Sequence, residues 1–395
     1  MKRVLDLKSI VFSVVMLCIC AGCTNKNSIG EVVKIFDLES ILNNIETVNL
    51  SDYASDINYY PLETSESSLV NGSIVLLNIV PCKDGVVIFS GNSTTPPLVF
   101  DNEGRFVAEI GTVGRTSNEC VLICNVIPGE DGIEVVDYNK VMRYDSEYNF
   151  AGSFPILHNR GNICKMESGN YISLLRDQMR NLYVSVLDKE GNELKRVVEE
   201  SAMTVQQKAP GSFDHSKGTV TTGFAVVREF IKFFSANGKP YILYDRKDTL
   251  YSVTEDMELR PEYAVNFGKY DEGVDLNSFI FETDKFIMSR FLFNYYLYPS
   301  ISKEYRFLYF VYNKENGSLK GIAVDPEIGE AAFNNDLDGG ISFFPKAVAG
   351  GKMYTLVSAI TFMDEAEKCN SPRMKEVAAT LNEESNPVLV VATLK

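Results

Sequence analysis

The chain has 395 residues with 38 Lys+Arg against 53 Asp+Glu, a net charge of −15. That field repels nucleic acid and anionic lipid headgroups, and the chain lacks the basic footprint of a nucleic-acid binder. Eight cysteines in a chain of this length do not make a disulfide scaffold.

Lys2 and Arg3 precede an apolar run from Ile10 to Ile19, followed by Cys20-Ala-Gly-Cys23. A basic start, a short apolar region and small residues before a cleavage point make a secretory signal, too short to stay in a bilayer as a span. The ending Ala21-Gly22-Cys23 is similar to a bacterial lipobox, although Cys20 stands where such boxes usually carry Leu. Residues 1–22 are therefore expected to be a lipoprotein signal peptide and Cys23 the lipidated mature N-terminus. Losing Lys2, Arg3, Lys8 and Asp6 with the signal leaves the mature chain at −17. Its remaining cysteines are Cys82, Cys120, Cys124, Cys164 and Cys369, an odd number. Cys120 and Cys124 are expected on one face of a strand, Cys-Val-Leu-Ile-Cys. Three intervening residues and only two histidines, His158 and His215, argue against zinc. Most of these cysteines read as small buried hydrophobes.

Residues 23–49 read as a tether with a short apolar-periodic piece from Ile35 to Ile45, and the fold, over 50–395, begins near Ile57. Its repeating unit is Leu98 to Gly111, two strands closed by a tight turn that Asp101 opens and Gly104 completes in left-handed geometry. The pattern returns at Met142 to Phe150 and Tyr183 to Leu194, with looser copies at Leu250–Leu259 and Tyr309–Leu319. The turn acids Asp101, Asp145 and Asp188 lie 44 and 43 residues apart, the spacing of four-stranded propeller blades. Runs such as Ile74-Val-Leu-Leu77 and Val86-Val-Ile-Phe89 are apolar at consecutive positions, as in strands buried on both faces. Tyr (20) and Phe (24) favour β-structure in a chain with no Trp. Ser201 to Thr222 reads as a long inter-strand loop. One helix is expected near the C-terminus, capped by Ser371, started by Pro372 and carrying Met374, Val377, Ala378 and Leu381 at helical spacing. The strand Val388–Leu394 is expected to close the ring by pairing with one around Ile57 to Thr64.

The order of these pieces resembles a family. The lipobox, Leu50-Ser-Asp52, Tyr59-Tyr-Pro-Leu-Glu-Thr64, the Phe-Asp-x-x-Gly hairpin ending in Ile110-Gly111, Asp248-Thr-Leu-Tyr251, Asn335-Asp-Leu-Asp-Gly-Gly340 with Phe344-Pro345, and Asn386-Pro-Val-Leu-Val390 are similar to the six-bladed β-propeller lipoproteins of Bacteroides-type bacteria. The resemblance implies an all-β, six-bladed ring of four-stranded antiparallel blades and a binding or scaffolding role in the cell envelope. It brings no catalytic residues. The chain departs from the family's glycine-rich motif after the first blade: in Gly111-Thr-Val-Gly114-Arg-Thr-Ser-Asn-Glu119-Cys120, Glu119 is kept while two glycines and a proline are replaced.

Four residues are candidates for a ligand site: Arg115 and Glu119 after the first hairpin, His158 and Arg160 after the second. Regular blades would bring both loops to corresponding parts of the ring, although a solvated rim is at least as good a reading. Asn334, Asp336 and Asp338 form the first half of a calcium loop. The bidentate acid expected at its twelfth position is Pro345, so an Asx-rich turn is the stronger reading and no cofactor is expected. Tyr295, Tyr296 and Tyr298 with Tyr305 to Tyr312 are candidate sugar platforms, but Tyr305, Phe307, Tyr309 and Val311 alternate as one strand face, which points to core. No HExxH, GxSxG, P-loop or dinucleotide signature occurs. The expected protein is a monomeric binding or interaction module for an envelope protein or small ligand. Its lipid holds it to the outer membrane, facing the periplasm. The alternative is a metal-dependent propeller hydrolase or lactonase working at the central channel.

Overall fold

The computed structural model describes residues 34–395 except 117, 130, 157–161, 178–181, 199–205, 209–212, 215–218, 221–224, 228–230, 237–238, 244–247, 271–272, 306 and 326–330. Four antiparallel strands in sequence order, Leu77–Cys82, Gly85–Ser90, Leu98–Asp101 and Phe106–Glu109, make blade 1. Four more such blades follow. Their first and last strands are Asn125–Pro128 and Phe150–Pro155, Ile163–Lys165 and Glu193–Val198, Lys232–Ala236 and Leu259–Asn266, then Val274–Glu282 and Leu319–Ile322. Blade 6 joins the chain's ends: Ala347–Ala349, Lys352–Val357 and Val388–Leu394 are completed by Ala54–Pro61. The closing register pairs Tyr59 with Val390, Tyr60 with Leu389 and Pro61 with Val388, as the sequence led us to expect.

First strands of neighbouring blades touch each other between blades 1 and 2, 4 and 5, 5 and 6, and 6 and 1, so they line the centre of the ring. The apolar core is divided accordingly. Six buried clusters each join residues of two adjacent blades, one per seam. The strand Gly85–Ser90 explains its own unbroken apolar run: Val86 and Ile88 pack toward blade 6, Val87 and Phe89 toward blade 2. Period-two alternation thus serves two cores rather than one core and solvent.

Four expectations change. Residues 34–49 are folded rather than a tether. Lys34–Asp37 adds a fifth strand beside Leu259–Asn266 on blade 4, and Ile45–Glu46 runs parallel to Leu319–Ile322 on blade 5. The helix Leu38–Asn43 between them is capped by Asp37 and buries Leu38 and Ile41. Covering outer edges pairs backbone groups that would otherwise be open, and burial of Phe36, Leu38 and Ile41 accounts for the apolar period. The expected C-terminal helix is Pro372–Ala378, capped by Ser371, and Ala359–Lys368 precedes it in the same connection. Residues 120–124 form no continuous strand: the buried Asp137 carboxylate accepts the N–H groups of Val121 and Leu122 (3.1 and 2.9 Å) and bends the segment. Within 201–222 the chain is not a bare loop, since Gln206–Lys208 pairs with Ala225–Val227 and Phe213–Asp214 with Thr219–Val220.

Antiparallel order gives the ring two unlike faces. Connections from blade to blade, and from second to third strands, fall on one face and include the long ones. First-to-second and third-to-outer turns fall on the other and are short. We call them the long-loop face and the short-turn face.

Candidate functional site

Arg115 and Glu119 lie in the connection from blade 1 to blade 2, on the long-loop face. Glu119 accepts the Thr116 N–H at 2.9 Å, and these Thr116 hydrogen bonds keep its carboxyl below the usual range. Its own carbonyl takes a 2.7 Å bond from Lys140 Nζ. Glu119 thus closes its loop, while Arg115 on the same loop is exposed. His158 and Arg160 lie outside the described residues.

The Asn334–Gly340 turn is an assembly hub. Asp336 accepts from Ser51 N and Oγ (2.9 and 2.5 Å), tying the turn to the segment that enters blade 6. Asp338 accepts from Tyr59 Oη (3.0 Å), Asn335 Nδ2 (2.8 Å), Gly340 N (3.0 Å) and Ser371 Oγ (2.5 Å). Asn334 donates to Asn49 at 2.8 Å. The two carboxylates therefore serve separate sets of donors, the geometry of an Asx-rich turn. Among the described residues no three His, Cys, Asp or Glu gather as metal ligands.

Of the aromatic candidates, Tyr309 packs with buried Val311 on the core between blades 5 and 6, as expected; its hydroxyl accepts from Arg290 at 2.7 Å, and that guanidinium lies 4.3 Å from the Phe307 ring centroid. Leu308 and Phe310, the opposite strand face, are the fully buried pair. Tyr295, Tyr296 and Leu297 are 63, 76 and 51% exposed in the connection between the second and third strands of blade 5.

A cleft of about 420 Å³ sits on the short-turn face where blades 4, 5 and 6 meet. Turns supply its polar rim: Lys239 from blade 4, Glu282 to Lys285 and Lys314 from blade 5, Gly350-Gly351 from blade 6, and Lys395. Tyr53, Phe286, Val348 and Leu394 give it apolar walls. Gly350 and Gly351 both have positive φ (57 and 72°), as a two-residue hairpin of this handedness requires, and a Cβ on either would meet nothing within 4 Å.

Glu282 anchors this cleft. Its carboxylate accepts from Tyr263 Oη (2.7 Å), from Tyr241 Oη and from Lys314 Nζ (2.6 Å). Burial works against its charge, but the bonds from Lys314 and the two tyrosines outweigh that and hold its pKa below the usual range. Burial and the same carboxylate push both tyrosines upward, so they stay protonated donors. Tyr53, on the cleft wall, is pushed up to about 12, chiefly by burial. Sequence reasoning missed this cluster because its members come from separate blades. The one available signal was the strand pattern that puts Lys239, Glu282 and Lys314 at first-to-second or third-to-outer turns.

Six four-stranded antiparallel blades closed in one ring define a six-bladed β-propeller. The chain belongs to the family described as Domain of unknown function (DUF4934), whose profile matches residues 33–393. A solved structure of a "Putative exported protein" from Bacteroides fragilis shares the fold at TM-score 0.61 and 15% identity, over 92% of this chain and 100% of that one. A DUF4221 family member from Bacteroides vulgatus matches at TM-score 0.40 and 13% identity, over 89% of this chain and 98% of that one. No curated protein sequence matches the chain.

Proposed function

We propose that this propeller is a lipid-anchored envelope module that binds another protein through its long-loop face. One observation carries the reading. Among the described residues ten exposed large hydrophobics, Leu69, Val75, Leu76, Val113, Val121, Tyr138, Tyr295, Tyr296, Leu297 and Ile360, lie in connections of that face. The other four, Ile35, Val107, Phe150 and Leu194, lie in outer strands, so the short turns contribute none. Blades 5, 6, 1 and 2 are consecutive in the ring and carry all ten. Apolar groups gathered on one face in this way mark interaction surfaces.

Charge selects the kind of partner. The connection spanning 358–387 holds Asp364, Glu365, Glu367, Glu376, Glu383 and Glu384 against Lys368, Arg373 and Lys375. A second copy of this acidic chain, or an anionic bilayer, meets like charge there. A different protein with a basic rim around an apolar patch does not. Lipidation at Cys23 would keep the ring at the outer membrane, on the periplasmic side, because Thr24-Asn-Lys-Asn-Ser28 lacks an acidic export-like run. The exported description of the Bacteroides fragilis neighbour agrees with a place outside the cytoplasm.

Two measurements test this. Cys23→Ala should release the protein from the membrane fraction or leave it unprocessed; unchanged fractionation and mass would remove the anchor from the proposal. Full-length protein extracted in mild detergent should migrate as a complex larger than one chain. Leu76→Glu combined with Tyr296→Glu should return it to single-chain size while keeping the melting temperature. A wild-type protein already at single-chain size contradicts the docking face.

A further inference from the structure

We propose that the cleft on the short-turn face is a binding site for a small carboxylate or phosphate anion with an apolar body. The inference is independent of the docking face, which lies at the other end of the ring.

The cleft lining carries Lys239, Lys285, Lys314 and Lys395 against Glu282 and Asp284, in a chain whose net charge is −15. Glu282 has its acceptor capacity committed to Tyr241, Tyr263 and Lys314. Each lysine ammonium has three donors. Lys314 Nζ, with its side chain only 17% exposed, spends one of them on Glu282. Lys239 Nζ bonds Glu262 Oε1 at 3.0 Å, and Lys285 lies 3.9 Å from Glu315, whose side chain is 66% exposed. Solvent screens the exposed Lys285–Glu315 pair, so an incoming anion competes readily for that ammonium. Four ammonium groups thus outnumber the two side-chain carboxylates of the lining, one of which, Glu282, is already bonded, and the missing partner is an acceptor group carrying negative charge.

Shape completes the class. A volume of about 420 Å³ suits a small molecule rather than a chain. Phe286, Val348 and Leu394 supply apolar walls beside the ammonium groups. Glu282 acts here as a positioning residue: it fixes Lys314 and is itself fixed by two tyrosines on blade 4. The Gly350-Gly351 turn leaves the rim open opposite them.

Calorimetric titration of the full chain in detergent tests the assignment with three probes: inorganic phosphate, glutarate and the neutral diamide glutaramide. Saturable binding of phosphate or glutarate, weakening as salt is raised, is expected, with none for glutaramide; the stronger of the two anions separates phosphate from carboxylate as the natural group. Lys314→Gln should weaken binding about tenfold or more, the size of one charge-assisted hydrogen bond. Because it leaves Glu282 short of a partner, Lys285→Gln and Lys239→Gln are the safer variants. Each should weaken binding several-fold at an unchanged melting temperature. Absence of binding for both anions overturns the proposal, as do equal binding of glutaramide and unaltered affinity in the Lys239→Gln, Lys285→Gln double variant.

Discussion

One side-chain device closes five third-to-outer turns. Asp101 Oδ1 accepts the N–H groups of Glu103 and Arg105 (2.8 and 2.9 Å), Asp145 those of Glu147 and Asn149 (both 2.9 Å), and Asp188 those of Glu190 and Asn192 (2.9 and 2.8 Å). In blade 4 Thr254 Oγ1 replaces the carboxylate and takes Glu258 N at 3.2 Å; in blade 5 Asn313 Oδ1 takes Glu315 N at 2.9 Å. The left-handed residue of these turns is Gly104, Tyr148, Gly191, Met257 and Gly317 in order. Gly104 is doubly constrained: its φ is 83°, and a Cβ would run into the Pro61 carbonyl of blade 6. Gly317, at φ 72°, has nothing within 4 Å of that position. Gly104→Ala should therefore cost clearly more than the roughly 1–2 kcal/mol of left-handed strain expected for Gly317→Ala. Denaturant midpoints compare the two, and equal shifts would show that the Pro61 contact is unimportant.

The same turns set an acid limit. Backbone bonding from Asn149 lowers Asp145, and the Asn192 side chain and backbone lower Asp188, from an ordinary value of 3.8. A carboxyl depressed by folding contributes stability that is complete above the unfolded value and is lost as pH falls through the folded one. Melting temperatures should thus decline below about pH 3.8, and Asp188→Asn should flatten part of that decline. Parallel curves for wild type and variant would contradict the linkage.

At the scale of elements, the strand pattern was legible because each blade's hairpin carries its own turn chemistry and its own apolar run. Ring closure was legible too: Val388 to Ala392 are far too apolar for a free tail, and all five are 6% exposed or less. Removing residues 387–395 takes away the third strand of blade 6 and opens two seams. Each lost core side chain is worth about 1.5–3 kcal/mol, so the truncated protein should fail to show a cooperative melt. An unchanged melting temperature would refute the central place of this strand. The N-terminal edge covers were not legible, because Lys34–Asp37 and Ile45–Glu46 are too short to declare themselves and gain order only from blades 4 and 5. Ile41 is fully buried against blade 5 at the end of that segment's helix. Ile41→Asp should lower the melting temperature by several degrees, whereas a tether would tolerate it without effect.

Across the whole molecule, the ring converts local repetition into two faces with different chemistry. The sequence resemblance reached the number of blades, yet the residues it brought forward, Glu63, Asp338 and Asn386 among them, prove to be internal fasteners. Glu63 accepts the Phe106 N–H at 3.0 Å, joining blades 6 and 1, and Asn386, 2% exposed, bonds Glu63 O, Ser68 O and Val70 N. A motif that recurs for assembly carries no information about a ligand. The cleft and the apolar face are made by residues far apart in sequence, so neither could be read before the blades were placed. The central claim is that binding to another protein occurs on the long-loop face. It is tested most directly by a photo-crosslinking amino acid placed, in intact cells, at Leu76, Val121 or Tyr296 on that face and at Glu103, Glu147 or Asn316 in the short turns. The account predicts one and the same protein adduct from the first three positions and none from the second three. Adducts that arise equally from both faces, or from the short turns alone, would contradict it.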